Sequence, residues 1–138
     1  GSVALTKLET GECKVIMILE ESVLKKREED FSELEVIYPT DGTIIIPSTI
    51  MSIAEEHSAN ANIAAVEAIT DWFLSPAGQE AIVNGWMHSV LKDFPKLPYD
   101  AIPTAEIQAN HTPIDWEATY REREEMRTKF EEAVKLGR

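Results

Sequence analysis

The chain has 138 residues, 43% of them hydrophobic, and its 13 basic and 25 acidic side chains give a formal charge of −12. That is one domain's length with enough apolar content for a core, and the charge repels nucleic acid and acidic membrane faces over most of the surface. The single cysteine, Cys13, excludes an internal disulfide, a cysteine zinc cluster and a CxxC redox pair.

Gly1-Ser2 reads as a cloning remnant, and no secretory leader follows it. The longest apolar runs, Val15 to Leu19 and Ile44 to Ile46, are far too short to span a bilayer. Val3 to Thr10 places Leu5 and Leu8 three apart and ends at Gly11, as the last turns of a helix do. Cys13 to Leu19 is nearly unbroken apolar sequence, the pattern of a strand covered on both faces. Glu20-Glu21-Ser22 opens a helix through Glu29, with acids in its first turn and Lys25, Lys26 and Arg27 further along, as the helix dipole prefers. Leu34 to Tyr38 is the next strand, and the order strand, helix, strand predicts a parallel α/β unit.

Pro39 ends that strand, because it cannot donate to a ladder. Thr40-Asp41-Gly42 supplies turn chemistry, Thr43 to Ile46 is β-branched and apolar again, and Pro47 breaks the run before an extended piece from Ser48 to Ile53. Asn62 sits at an N-cap, with Ile63, Val66, Ile69 and Phe73 on one helical face up to Leu74. Ser75-Pro76 stops that helix and starts another, which Gly85 ends. Met87 to Leu91 reads as a short strand. Lys92 to Pro113 carries four of the seven prolines and predicts an irregular connection, with one helical turn near Thr104 to Asn110. Asp115 then caps a long helix to Leu136, with Trp116, Tyr120, Phe130 and Val134 on its apolar side and Gly137 as the stop.

Two short polar groups follow expected strand ends: Glu20, Glu21 and Ser22, and Asp41, Gly42 and Thr43. Ligands of open α/β sheets collect at such places, so these six are the candidate ligand-binding residues, although the glutamates also favour a helix start and Asp41 also shapes a turn. His57, His88 and His111 fall on different elements and predict no metal site by themselves; His88 is the one nearest a plausible cleft. Ser22, Ser48, Ser75 and Ser89 have no GxSxG elbow around them, and neither a GxGxxG nor a P-loop is present. Catalysis has no support in these residues, and no cofactor is implied.

The run from Asn62 to Gln79, with its Asn-capped helix, its Ser-Pro junction and its Gly78-Gln79 pair, resembles a recurring segment of the extracellular solute-binding proteins of bacterial ABC importers. Thr10-Gly11-Glu12 before an apolar strand, and Tyr38-Pro39-Thr40-Asp41-Gly42-Thr43 before another with Pro47, match in the same order. The subgroup is the iron(III) type. The resemblance implies the C-terminal part of a two-lobed type 2 periplasmic-binding-protein fold. In it 3–39 end the second α/β lobe, 40–43 form the hinge crossing, 44–91 belong to the first lobe, and 92–138 give an extended connection and a C-terminal docking helix. It also implies capture of ferric iron or an anionic, phosphorylated organic solute, a membrane permease as partner, and a periplasmic or membrane-anchored extracellular place. Where iron-binding relatives carry an adjacent tyrosine pair, this chain has Glu20-Glu21. Strands without enough neighbours predict a homodimer with exchanged elements. An acidic cytosolic α/β interaction or regulatory domain is the competing expectation.

Overall fold

Over residues 2–58 and 62–136, which the computed structural model describes, the regular structure is helical. Gly1 of the remnant and the Gly137 stop lie outside the described residues. The helices are α1 (Ser2–Glu9), α2 (Glu20–Asp30), α3 (Ile63–Leu74), α4 (Pro76–Asn84), α5 (Thr104–Ala109), α6 (Trp116–Arg121) and α7 (Arg123–Leu136), with a 3-10 turn at Glu55–His57. Their ends follow local chemistry. The Asn62 side chain accepts the Ala65 N–H at 3.0 Å, Ser75 Oγ accepts the Gly78 N–H at 3.2 Å, and Asp115 accepts the Ala118 N–H at 2.9 Å. Gly85 N–H closes α4 on the carbonyls of Ala81 and Ile82. The helix expected over Asp115 to Leu136 is two helices. Glu122 (φ −95, ψ 4) leaves helical geometry for one residue, while bonds of 2.9 Å from Glu122 N–H to Ala118 and from Met126 N–H to Glu122 carry the ladder across.

Among the described residues no strand ladder forms, and the only β pairing is an isolated parallel bridge between Thr43 and His111. The strands expected at Cys13 to Leu19, Leu34 to Tyr38, Thr43 to Ile46 and Met87 to Leu91 are the part of the α/β reading that this helix-rich fold does not carry. A strand is held by a neighbour's N–H and C=O groups, and alternation in sequence says which residues would be covered but supplies no neighbour. From 31 to 38 exposure does alternate residue by residue: Ser32, Leu34, Val36 and Tyr38 are half-buried, while Phe31, Glu33, Glu35 and Ile37 face solvent.

Among the described residues the buried apolar side chains are few: Leu5 from α1, Val23 and Leu24 from α2, Val83 from α4, and Pro98. α2 is the hub. Lys26 reaches Glu9 of α1 at 3.6 Å, and Arg27 donates to the Leu34 carbonyl at 3.1 Å and pairs with Asp100. Glu28 accepts the Trp86 indole N–H at 2.7 Å, and the Lys25 ammonium sits 5.2 Å from the same ring. A second fixed point is the α3–α4 corner. A Cβ on Gly78 would overlap the Trp72 carbonyl and the Phe73 backbone, so only glycine lets α4 start so close to the end of α3. Gln79, 1% exposed, donates to the Phe73 carbonyl at 2.7 Å and accepts from Ser89 Oγ and Val90 N–H at 2.8 Å each. The Gly-Gln pair is thus a structural clamp between a helix end and the chain that follows α4.

Candidate functional site

Glu20 is the first residue of α2, with no side-chain cap before it at Leu19. Its half-buried carboxylate gathers residues remote in sequence. Tyr38 donates its hydroxyl to one carboxylate oxygen, and His88 Nε2 lies 2.9 Å from the other. The far side of the imidazole, Nδ1, is 2.8 Å from Thr104 Oγ1, at the start of α5. An Nε2–H tautomer satisfies all of these bonds: imidazole N–H to carboxylate and threonine O–H to the imidazole lone pair. A second proton on His88 would add an ion pair, with Thr104 turning to accept.

The electrostatics follow from this geometry. Burial alone would raise the Glu20 carboxyl. The hydrogen bonds from His88 and Tyr38, joined by the charge of His88 when it carries its second proton, outweigh it and hold the group below the ordinary carboxylate range. Burial pushes the Tyr38 phenol up, and its bond to the Glu20 carboxylate pushes it further, well above its ordinary value. Proton loss from Tyr38 is therefore hard unless a cation takes the proton's place.

Glu21 and Ser22 are half-buried on the first turn of α2, where Ser22 N–H donates to the Leu19 carbonyl at 3.1 Å. The other expected group lies elsewhere. Gly42, at φ +130, closes a turn on the Pro39 carbonyl (3.3 Å), and a Cβ there would overlap the Thr112 hydroxyl. Thr43 N–H donates to Asn110 at 2.8 Å, Thr112 N–H donates to Thr43 at 2.9 Å, and the Asn110 amide holds Pro39 at 2.9 Å. The turn is thereby docked on the segment after α5, with Asp41 exposed at its tip. A groove of about 530 Å³ opens beside it, lined by Ile45, Pro47, His111 and Trp116 among others.

No hydrogen bond or ion pair among the described residues joins Glu20, Glu21 or Ser22 to Asp41, Gly42 or Thr43; the link between them is Tyr38. Residue type picked out Glu20, but not its partner Tyr38, nor Thr104, which holds the far side of His88. The one available signal was His88, within the short strand expected at Met87 to Leu91 and the histidine nearest a plausible cleft. No group of three or more His, Cys, Asp or Glu side chains gathers among the described residues; the cluster holds one carboxylate, one imidazole, one phenol and one hydroxyl. Hydroxyl, imidazole and carboxylate also stand in this order in nucleophilic catalysis. The groove beside Ile45 and Trp116 and a second one beside Ile50 and Asp71 are lined by none of the four residues.

Comparison with known proteins adds one finding. The family described as bacterial extracellular solute-binding protein matches residues 2–121. No match emerges among curated proteins or among solved structures.

Proposed function

Because the chain belongs to the bacterial extracellular solute-binding proteins, we propose that it is the solute-capturing component of an ABC-type importer, and that its solute is ferric iron rather than an anionic or phosphorylated organic molecule. Membership favours a place outside the cytoplasm, extracellular or periplasmic, over the cytosolic regulatory domain. On this reading the protein is periplasmic, or extracellular and membrane-anchored, and its partners are the solute, the importer's permease and a second copy of the chain that shares exchanged elements.

The observation that carries the choice of solute is the meeting of Tyr38, Glu20 and His88 at one half-buried point. Phenolate and carboxylate oxygens with an imidazole nitrogen suit a hard trivalent cation, which would replace the protons now shared among them. An anion at the same point would face the Glu20 carboxylate within a field of net charge −12. Tyr38 here stands for the phenolates of iron-binding relatives, with Glu20-Glu21 in the tyrosine pair's place.

Capture works by closure. With 3–39 in one lobe, 40–43 as the crossing and 44–91 in the other, Glu20 and Tyr38 meet His88 across the cleft, and a solute touching both sides favours the closed state. Glu21 and Ser22 extend the ligand surface beside Glu20, and Asp41, Gly42 and Thr43 of the crossing, which stand apart from it, reach the solute when the lobes close. The 138 residues alone hold the solute weakly, because their extended apolar segments lack sheet partners and leave the cleft walls incomplete.

The test is titration of the concentrated protein with ferric citrate. The expected result is a visible phenolate-to-iron absorption band that saturates and disappears in Tyr38→Phe. Absence of the band, or its survival in Tyr38→Phe, overturns the assignment, as does calorimetric saturation by a sugar phosphate in its place.

A further inference from the structure

We propose that two copies of this chain assemble by reciprocal exchange, the apolar stripe of α7 in one copy covering the apolar face of α3 in the other. The proposal names the surfaces for the pairing of copies stated above and does not depend on the solute.

The first argument is area. A compact folded chain of this mass exposes about 7,200 Å², whereas this one exposes 11033 Å². The excess, roughly 3,800 Å², is larger than the ~800 Å² per partner of a standard interface and larger than the share of most obligate ones. Surface enough for a second copy of the chain is therefore open.

The second argument is where the apolar part of the excess lies. α3 packs on α4 and α7 on α6, and no other helices pack together to a comparable extent among the described residues. Neither α3 nor α7 has a single buried residue. α7 presents Met126, Phe130 and Val134 at four-residue spacing, one continuous stripe in which Phe130 is 71% exposed. α3 presents Ile69, Trp72 and Phe73 to solvent. Each chain therefore carries one uncovered ridge and one uncovered face that are left unmatched within the chain.

Pairing of α7 with α7 is the simpler symmetric arrangement, but it makes a single contact about 21 Å long and leaves the α3 face open. Reciprocal exchange makes the contact twice and matches ridge to face. Charge does not oppose it: α7 carries four bases, Arg123, Arg127, Lys129 and Lys135, and four acids, Glu124, Glu125, Glu131 and Glu132, so it meets the acidic Glu67 and Asp71 of α3 without net repulsion.

The experiment is sedimentation equilibrium on the wild-type chain, on Trp72→Glu, on Phe130→Glu and on an equimolar mixture of the two variants. The wild type should sediment as twice 15.5 kDa. Each variant alone should dissociate roughly tenfold or more readily, because each places a charge at an interface core. The mixture should regain dimer, since Phe130→Glu still has a native α3 and Trp72→Glu a native α7, leaving one intact contact. A misfolded variant would not be rescued, so recovery also shows that both variants fold. A monomeric wild type removes both the pairing and the exchange. A wild-type dimer that Trp72→Glu leaves intact, or a mixture that stays monomeric, removes the exchange alone.

Discussion

Glu20 and Tyr38 titrate against each other's interests, and that makes the cluster readable by pH. The folded state holds the Glu20 carboxyl below its ordinary value of 4.5, since the bonds from His88 and Tyr38, joined by the charge of His88 when it carries its second proton, outweigh burial. A group depressed on folding contributes stability that is present above its unfolded value and is lost as pH falls through the folded one. Tyr38 behaves in the opposite sense. Burial and the Glu20 carboxylate raise it from 10.0, so its contribution is full below that value and fades as pH rises above it. The urea midpoint of the wild type should therefore exceed that of Glu20→Gln near neutrality, with the gap closing in acid. Its lead over Tyr38→Phe should close in alkali instead. A gap of constant size from acid to alkali in either comparison would mean that the Tyr38–Glu20 contact is absent in solution.

At the scale of elements, the α3–α4 corner joins two devices that act within a few residues. Ser75 Oγ donates to the Trp72 carbonyl at 2.6 Å while accepting the Gly78 N–H, and Gly78 lets the two backbones touch. Ser75→Ala should cost about 1 kcal/mol, the usual loss of a cap. Gly78→Ala should cost more, roughly 1–3 kcal/mol, because the added methyl meets backbone that cannot turn aside. Thermal unfolding followed by circular dichroism checks the order; equal costs would show that the corner opens freely. These devices were legible in sequence because a cap acts three residues away and a helix stop one or two, so Asn62, Ser75-Pro76, Gly85 and Asp115 announce their own ends. The strands were misjudged because a β-ladder needs a neighbour that no local pattern supplies. The single-residue break at Glu122 carries no Gly or Pro to mark it. The candidate site was half-legible for the same reason: Glu20 was visible by type, but its partners stand 18 residues away at Tyr38 and 68 away at His88, brought in by tertiary folding alone.

At the scale of the whole molecule, charge sets two expectations of opposite sign. Each copy carries −12, so two copies repel at long range while their apolar helix faces attract at contact. Raising salt shortens the screening length from about 10 Å at 0.1 M to about 3 Å at 1 M. It should therefore tighten the dimer, whose attraction is mainly apolar and barely screened. Capture of ferric iron rests on attraction between a cation and an acidic protein, so the same salt should weaken it. Association also makes stability depend on concentration: Tm should rise as the protein is concentrated, and the rise should be steeper at high salt. A Tm independent of concentration would remove the association, because a chain that leaves this much surface open and still melts as a monomer owes its folded state to its own small core. Dimer strength falling with salt would instead point to an interface held by ion pairs such as those available between α7 cations and α3 acids, with the apolar ridge left to solvent.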